Sequence, residues 1–272
     1  MRFELDSDQK DFAAALESLL AGTDTVAAAR AWADGDHDPG LALWSRLAEL
    51  GVTGLADEPV FLAIAFERLG YHAVPGPYVE SIAYLARDEG IGTVALPPHV
   101  PYALDADVTD VPHGPMRLSV DRTRRLFEVD APDQVDETAF DRAVLATSAQ
   151  LLGCGERVLA DAVTYVKQRK QFGREIGSYQ AIKHALADVR IALDFARPLV
   201  LGAALGEVPP SAAKIAAGDA AYLASRTGLQ VHGAIGYTQE FDLSLWITKI
   251  RALVTAWGTP AYHRSRVLEG LL

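Results

Sequence analysis

The chain has 272 residues, half of them hydrophobic, which is enough for a sizeable core in one or two domains. The formal net charge of −11 argues against a nucleic-acid-binding protein, because such a protein needs a basic face. A single cysteine excludes an internal disulfide and fits a reducing cytoplasm, and no cysteine or histidine cluster has the spacing of a metal site.

Residues 1–90 predict an N-terminal helical domain. The first residues lack the apolar segment of a signal peptide, and no apolar run is long enough to span a bilayer, so we expect a cytoplasmic protein without membrane association. Ser7 is the predicted cap of the first helix, and Gly51 and Gly70 are predicted to end later ones. Apolar residues recur at helical spacing in three stripes: Phe12, Leu16 and Leu19; Leu43, Trp44, Leu47 and Leu50; Phe61, Ile64, Ala65 and Leu69.

Residues 91–136 predict a shortened β or irregular middle region. Six prolines forbid long helices there, at positions 97, 98, 101, 112, 115 and 132. The β-prone segments 118–120 and 125–129 remain between them. We therefore predict two to five short strands with irregular connections.

Residues 137–272 return to helical patterns, and four long helices predict a C-terminal bundle. Two long stripes come first: Leu152, Leu159, Val163 and Val166, then Ile182, Leu186, Val189 and Leu193. Further helices are predicted through Ile215 to Leu229, from about Leu243 to Val254, and up to about Leu268. Cys154 lies within the first of these patterns, which predicts a packed thiol rather than a nucleophile.

A cationic turn, residues 165–180, joins the first two long helices. Its sequence is Tyr-Val-Lys-Gln-Arg-Lys-Gln-Phe-Gly-Arg-Glu-Ile-Gly-Ser-Tyr-Gln. The guanidinium of Arg169 matches the fork of a phosphate, and Ser178 is the predicted cap of the next helix. A basic turn is more often solvated surface than a site.

A second stretch, Gln230 to Glu240, has glycines that either cap a helix or let a ligand approach the backbone.

Taken together, the two stretches resemble the C-terminal helical domain of the acyl-CoA dehydrogenase family. The phrases Leu-Trp-Ser-Arg-Leu-Ala-Glu-Leu-Gly and Phe-Glu-Arg-Leu-Gly resemble the N-terminal helices of the same family. The resemblance implies a mostly α fold of this type, with residues 137–272 holding the ADP half of FAD for a neighbouring subunit. The cofactor-binding residues it implies are Arg169, Gln171, Phe172, Gln180, Gln230, Val231, Gly233 and Ala234.

This sequence departs from the family in its middle region and at the catalytic base. The family has a larger β-barrel, with a Thr-Glu-Pro type segment along the flavin, and its reaction needs a carboxylate that removes a proton next to the thioester. The two positions where the family places this carboxylate hold Trp257 and Ala143, so we predict no catalytic residue. Trp257 is expected either to fill the vacated active site or to join an interface.

Other side chains near these positions or motifs are disfavoured as replacement bases: Asp141, Glu137, Glu240, Glu156, His184 and His232. We expect Glu156 on an exposed helix face, and the two histidines at an interface or on the surface.

These retained and missing features suggest a hypothesis. The chain is the non-catalytic subunit of a heterotetrameric, FAD-dependent acyl-CoA dehydrogenase, which desaturates a CoA thioester between its α and β carbons. Two catalytic chains bind most of the acyl-CoA and share FAD with two chains of this kind. A steroid-derived acyl group follows by analogy only. Two alternatives stay open: a self-sufficient enzyme of this fold, with a relocated base or a flavin-free reaction, and a scaffold without flavin.

Overall fold

A computed structural model describes residues 4–132 and 134–270, and the mostly helical fold class is confirmed. The first part contains α1 Ser7–Ala21, α2 Thr25–Ala33, α3 Asp38–Glu49 and α4 Pro59–Tyr71. A 3₁₀ turn, Val52–Gly54, follows α3, and a π-helical segment, Val79–Tyr84, follows α4. Each of the three predicted apolar stripes lies on one of these helices or directly at its end, because burial of one face stabilises an amphipathic helix.

Two predicted helix ends are wrong. The cap of α1 is Asp6 rather than Ser7, because the Asp6 carboxylate accepts from the Gln9 backbone N–H at 2.9 Å, while the Gln9 side chain accepts from the Asp6 N–H at 3.1 Å. Helix α4 also continues through Gly70 to Tyr71. A Cβ at Gly70 would overlap the backbone carbonyl of Gln150, so this glycine permits a close crossing of two helices.

Residues 91–132 and 134–136 contain three two-residue strands in the order β1-β3-β2, all antiparallel. They are β1 Ala103–Leu104, β2 Met116–Arg117 and β3 Leu126–Phe127, and a 3₁₀ turn, Ala106–Val108, follows β1. Strand β3 confirms the prediction for residues 125–129. The strand predicted at 118–120 is wrong, because pairing with β3 ends at Arg117 opposite Leu126 and the next residue, Leu118, is 87% exposed.

Residues 137–270 contain five α-helices: α5 Glu137–Gln168, α6 Gln180–Ala204, α7 Pro210–His232, α8 Leu243–Leu253 and α9 Pro260–Glu269. Between α5 and α6 lie a hairpin of β4 Lys170–Gln171 and β5 Arg174–Glu175, and a 3₁₀ turn, Ile176–Ser178. Another 3₁₀ segment, Gly233–Tyr237, follows α7. Within 4–132 and 134–270, no helix is both long and apolar enough to cross a membrane.

One apolar core runs from the first helices to the last, and it includes Phe66 of α4, Leu152 of α5 and Trp246 of α8. The Trp246 indole N–H donates to the carbonyls at the end of α4, 3.2 Å from Gly70 O and 3.0 Å from Tyr71 O. Cys154 is fully buried in this core, as predicted, and burial raises the pKa of its thiol to about 12. The domain limits at residues 90 and 136 stay a prediction.

Candidate functional site

The cationic turn folds as a short hairpin that projects from the end of α5. Arg169 follows the last helical residue in an extended conformation, and its carbonyl accepts from the N–H of Ile176 at 2.8 Å, which closes the hairpin. Phe172 and Gly173 form the tip, both with positive φ, 54° and 80°. Two successive positive φ values are typical of the tight turns that join antiparallel strands. Phe172 is consequently held away from the core and is 91% exposed.

Three polar side chains of this turn, those of Arg169, Gln171 and Gln180, are exposed and make no hydrogen bond within the described part of the chain. Helix α6 begins at Gln180 without a side-chain cap. The predicted cap, Ser178, is wrong, because its hydroxyl donates to the Glu175 carbonyl at 2.6 Å instead. The first turn of α6 therefore presents uncapped N–H groups, and the hairpin before it carries the exposed guanidinium of Arg169. Both kinds of group suit an anion.

The second motif lies at the end of α7. Gln230 and Ala234 are exposed, while Val231 and Gly233 are half-buried. Gly233 has φ +62°, and a Cβ built on it would meet no atom within 4 Å, so open space adjoins its backbone. Such a position leaves room for a ligand to approach the main chain.

The structure brings the two motifs together through Tyr165, one helical turn before Arg169. The Tyr165 ring stacks on His232 with centroids 4.2 Å apart, and the Tyr165 hydroxyl lies 3.5 Å from the His232 carbonyl. His232 is only 5% exposed, so the expectation of a surface or interface histidine is wrong for it. His184 is exposed, as expected. Which of these residues contact FAD stays a prediction.

The two positions aligned with the family's base are both inside the protein. Ala143 is fully buried on α5, and Trp257 is 1% exposed on the loop between α8 and α9. The indole packs against aromatic rings, with centroids 5.4 Å from Tyr84 and 5.7 Å from Phe140. Trp257 thus fills interior space, and a side chain so deeply buried does not fit the interface alternative.

A buried polar network holds the loop of Trp257. The Lys214 ammonium donates to the carbonyls of Val254 and Ala256 at 3.2 and 2.8 Å, and burial, aided by Arg124, lowers its pKa to about 7. The backbone of Trp257 itself has φ +56°, an uncommon conformation for a bulky residue. Tertiary contacts therefore determine the loop conformation.

His263 adds a second support to this loop. Its Nε2 lies 2.9 Å from the Trp257 carbonyl and its Nδ1 lies 3.0 Å from the Ser211 hydroxyl. Because a carbonyl only accepts, the neutral ring donates from Nε2 and accepts from the serine at Nδ1. Burial, aided by the charge of Lys214, lowers the pKa of His263 to about 4, so the ring is neutral at pH 7.

Sequence reasoning missed Glu80, a carboxylate 1% exposed on the π-helical segment. Neither of its oxygens has a hydrogen-bond partner among the described residues, and Arg124 Nη2 lies 4.0 Å away. Burial raises the pKa of Glu80, and the charge of the Arg124 guanidinium opposes this rise. The signal in the sequence was a glutamate inside the apolar run 78–85.

A cavity of about 430 Å³ lies beside Trp257, between the middle region and α8. Its lining includes Arg124, Arg251 and Leu118, and Glu80 is not part of the lining. No pattern along the sequence indicates either arginine, because they line one cavity although they lie more than 100 positions apart in the chain.

Arginines form ion pairs with three of the four carboxylates considered as replacement bases in the sequence. Asp141 accepts from Arg266 at 2.6 Å, and Glu137 lies 3.7 Å from the same side chain. Glu156 accepts from Arg190 and Arg197, both at 2.7 Å, and its side chain is only 15% exposed, so the expectation of an exposed face is wrong. Burial raises the pKa of Glu156, but the two guanidinium groups outweigh it and hold the pKa below its usual range. The fourth of these residues is Glu240. Its side chain is exposed, and its backbone carbonyl accepts from Arg30 at 3.0 Å.

Comparison with known proteins gives the family. The family model described as acyl-CoA dehydrogenase, C-terminal domain, matches residues 134–272. The acyl-CoA dehydrogenase IpdE2 of Mycobacterium tuberculosis is 29% identical over 279 aligned positions, which cover 85% of this chain and 87% of the relative.

Solved structures share the fold at low sequence identity. Butyryl-CoA dehydrogenase of Megasphaera elsdenii superposes with a TM-score of 0.82 at 18% identity, and the match covers 100% of both chains. A chain of the ChsE4-ChsE5 complex of Mycobacterium tuberculosis gives a TM-score of 0.79 at 18% identity, over 100% of this chain and 99% of the other. With the family model spanning half of its length, the chain belongs to the acyl-CoA dehydrogenase family.

Proposed function

We propose that this protein is the non-catalytic subunit of a heterotetrameric, FAD-dependent acyl-CoA dehydrogenase and completes the FAD site of its catalytic partner. The observation that carries the proposal is a contrast within one chain. Trp257, at the position aligned with the family's base, is 1% exposed. The eight residues implied for the ADP half of FAD are exposed or half-buried.

The residues of the two motifs fit the anionic half of FAD. Arg169 offers an exposed guanidinium, and α6 offers the uncapped N–H groups of a 25-residue helix, whose positive dipole end favours a pyrophosphate. The open backbone at Gly233 and the exposed amide of Gln230 add room and hydrogen-bonding groups. When bound, FAD supplies the hydride acceptor, and these side chains hold its distant end in place.

The partner must then supply the general base. Removal of a proton next to the thioester requires a positioned carboxylate, and an indole or a methyl group cannot accept it. Asp141 and Glu156 both accept hydrogen bonds from arginines, which supports the proposal that neither acts as this base. The acyl-CoA is accordingly bound mainly by the partner.

Likeness to a chain of the ChsE4-ChsE5 complex supports a hetero-oligomeric partner. Likeness to IpdE2, an acyl-CoA dehydrogenase by name, supports desaturation of a CoA thioester by the complex. A steroid-derived acyl group is a further part of this proposal, and it rests on the resemblance to heteromeric members of the family.

The test is the flavin content of this chain co-purified with a catalytic acyl-CoA dehydrogenase chain. Arg169→Ala is expected to weaken FAD retention about tenfold or more, because a charge-assisted hydrogen bond contributes about 1.5–3 kcal/mol. Arg264→Ala is the matched control, since this exposed arginine pairs with Asp219 on another face.

Unaltered flavin in the Arg169→Ala complex would contradict the proposal. A lone chain that is yellow and active would favour the self-sufficient enzyme, and a colourless complex would favour the scaffold.

A further inference from the structure

The cavity beside Trp257 has a charge opposite to that of the whole chain. The protein has a net charge of −11, yet among the described residues the charged side chains that line the cavity are those of Arg124 and Arg251, and His99 is also part of the lining. No aspartate or glutamate is part of the described lining. In an acidic protein, a cavity with guanidinium groups and no carboxylate concentrates positive potential and favours an anion.

Neither arginine is fully neutralised by the chain. The Arg124 side chain is 12% exposed, and its nearest carboxylate, Glu80, is 4.0 Å away, which is beyond a hydrogen bond. Arg251 is exposed and makes no hydrogen bond or ion pair within 4–132 and 134–270. Both guanidinium groups therefore have unused donors toward the cavity, and a carboxylate oxygen would accept from them.

The remaining walls are apolar. Leu118 and Val120 line the cavity and are 87% and 57% exposed, and Leu126, Ala252 and Trp257 are also part of the lining. Large exposed apolar side chains beside a cavity lose contact with water when a hydrocarbon covers them, which is favourable. The strand prediction failed at Leu118 because this segment leaves the sheet and borders the cavity.

We infer that this cavity is a binding site for a small organic monoanion with an apolar body. Its carboxylate contacts Arg124 and Arg251, and its hydrocarbon part packs against Leu118, Val120 and Trp257. A volume of about 430 Å³ lies within the range of small-molecule sites. The inference concerns this chain alone and does not depend on FAD sharing, because it involves none of the residues of the two flavin motifs.

The experiment is calorimetric titration of the full chain with octanoate, with octan-1-ol as the uncharged probe of the same chain length. We expect saturable binding of octanoate at one site, and binding of the alcohol weaker by about tenfold or more, since it loses the charge-assisted hydrogen bonds. Higher ionic strength should weaken octanoate binding and leave the alcohol unaffected.

Variants locate the site. Arg251→Gln, at an exposed position, should weaken octanoate about tenfold without unfolding the protein, and Leu118→Glu should weaken it further by placing a negative charge in the wall. Arg122→Gln is the control, because this exposed arginine pairs with Asp34 and does not line the cavity.

Absence of saturable octanoate binding, equal binding of octan-1-ol, or unchanged binding by Arg251→Gln would each overturn the inference. Flavin content of the complex is a separate readout, so failure here leaves the proposed function untouched.

Discussion

The flavin half-site and the Trp257 loop differ in where their side chains find partners. The residues of the half-site, such as Arg169 and Phe172, are exposed and make few contacts within the chain. The loop has buried side chains and hydrogen bonds on both sides, from Lys214 and from His263. Side chains that stabilise the fold are buried, whereas side chains that bind another molecule are exposed. Substitutions should therefore affect stability in one region and assembly in the other.

The largest expected effect is that of Trp257→Ala. Removal of a fully buried indole leaves a cavity, so the free energy of unfolding should fall by about 3–5 kcal/mol. Urea unfolding followed by circular dichroism measures it. Trp257→Phe keeps most of the packed volume, so it should lower the free energy of unfolding clearly less than Trp257→Ala does. Equal stability of Trp257→Ala and the natural protein would show that the loop is not part of the core.

The pH dependence of stability should reveal His263. The pKa of its ring is about 4 in the folded protein against 6.5 when unfolded, so the unfolded chain binds the extra proton in this window. Stability contributed by the neutral ring should therefore be lost as the pH falls from 6.5 towards 4, by about 3 kcal/mol in total.

Urea unfolding at several pH values compares His263→Gln with the control His184→Gln, which changes an exposed histidine. The first should lose this slope and the second should keep it. Parallel pH profiles for both variants would contradict the role of the buried ring.

Two glycines with positive φ provide a matched comparison of the regions. A Cβ at Gly258 (φ +104°) would lie 2.7 Å from His263 Nε2, whereas a Cβ at Gly233 (φ +62°) would meet nothing within 4 Å. Both alanine variants should have a strained backbone. Gly258→Ala should lower the free energy of unfolding by about 1–2 kcal/mol more than Gly233→Ala, because overpacking adds to the strain. Thermal and urea unfolding of the two variants measure the difference, and equal costs would count against the packing account.

The smallest effects on stability are expected at the hairpin. Phe172 is 91% exposed, so Phe172→Ala should change the free energy of unfolding of the lone chain by less than about 0.5 kcal/mol. The same variant should reduce flavin retention by the co-purified complex if the hairpin reaches the partner's cofactor. Loss of stability in the lone chain would show that Phe172 serves the fold instead.

Local patterns in the sequence were sufficient for the helices. The stripes around Leu43, Leu152 and Leu193 predicted α3, α5 and α6, because helical spacing of apolar residues is a local property. Errors occurred at helix ends, where a particular hydrogen bond or a close contact with another helix decided the outcome. Ser7 is the first residue of α1, one position after the cap Asp6, and Ser178 lies two positions before the start of α6. Gly70 serves a helix crossing that no local pattern shows.

The sequence by itself determined the fold family, the two motifs of the flavin half-site and the absence of a carboxylate before Gly258, since each of these depends on residue identity and spacing along the chain. Only the tertiary structure decided that Trp257 is buried, that Glu80 lies near it, and that Arg124 and Arg251 line one cavity. These facts depend on contacts between residues far apart in sequence, and the burial that sets their charge states exists only once the core has formed.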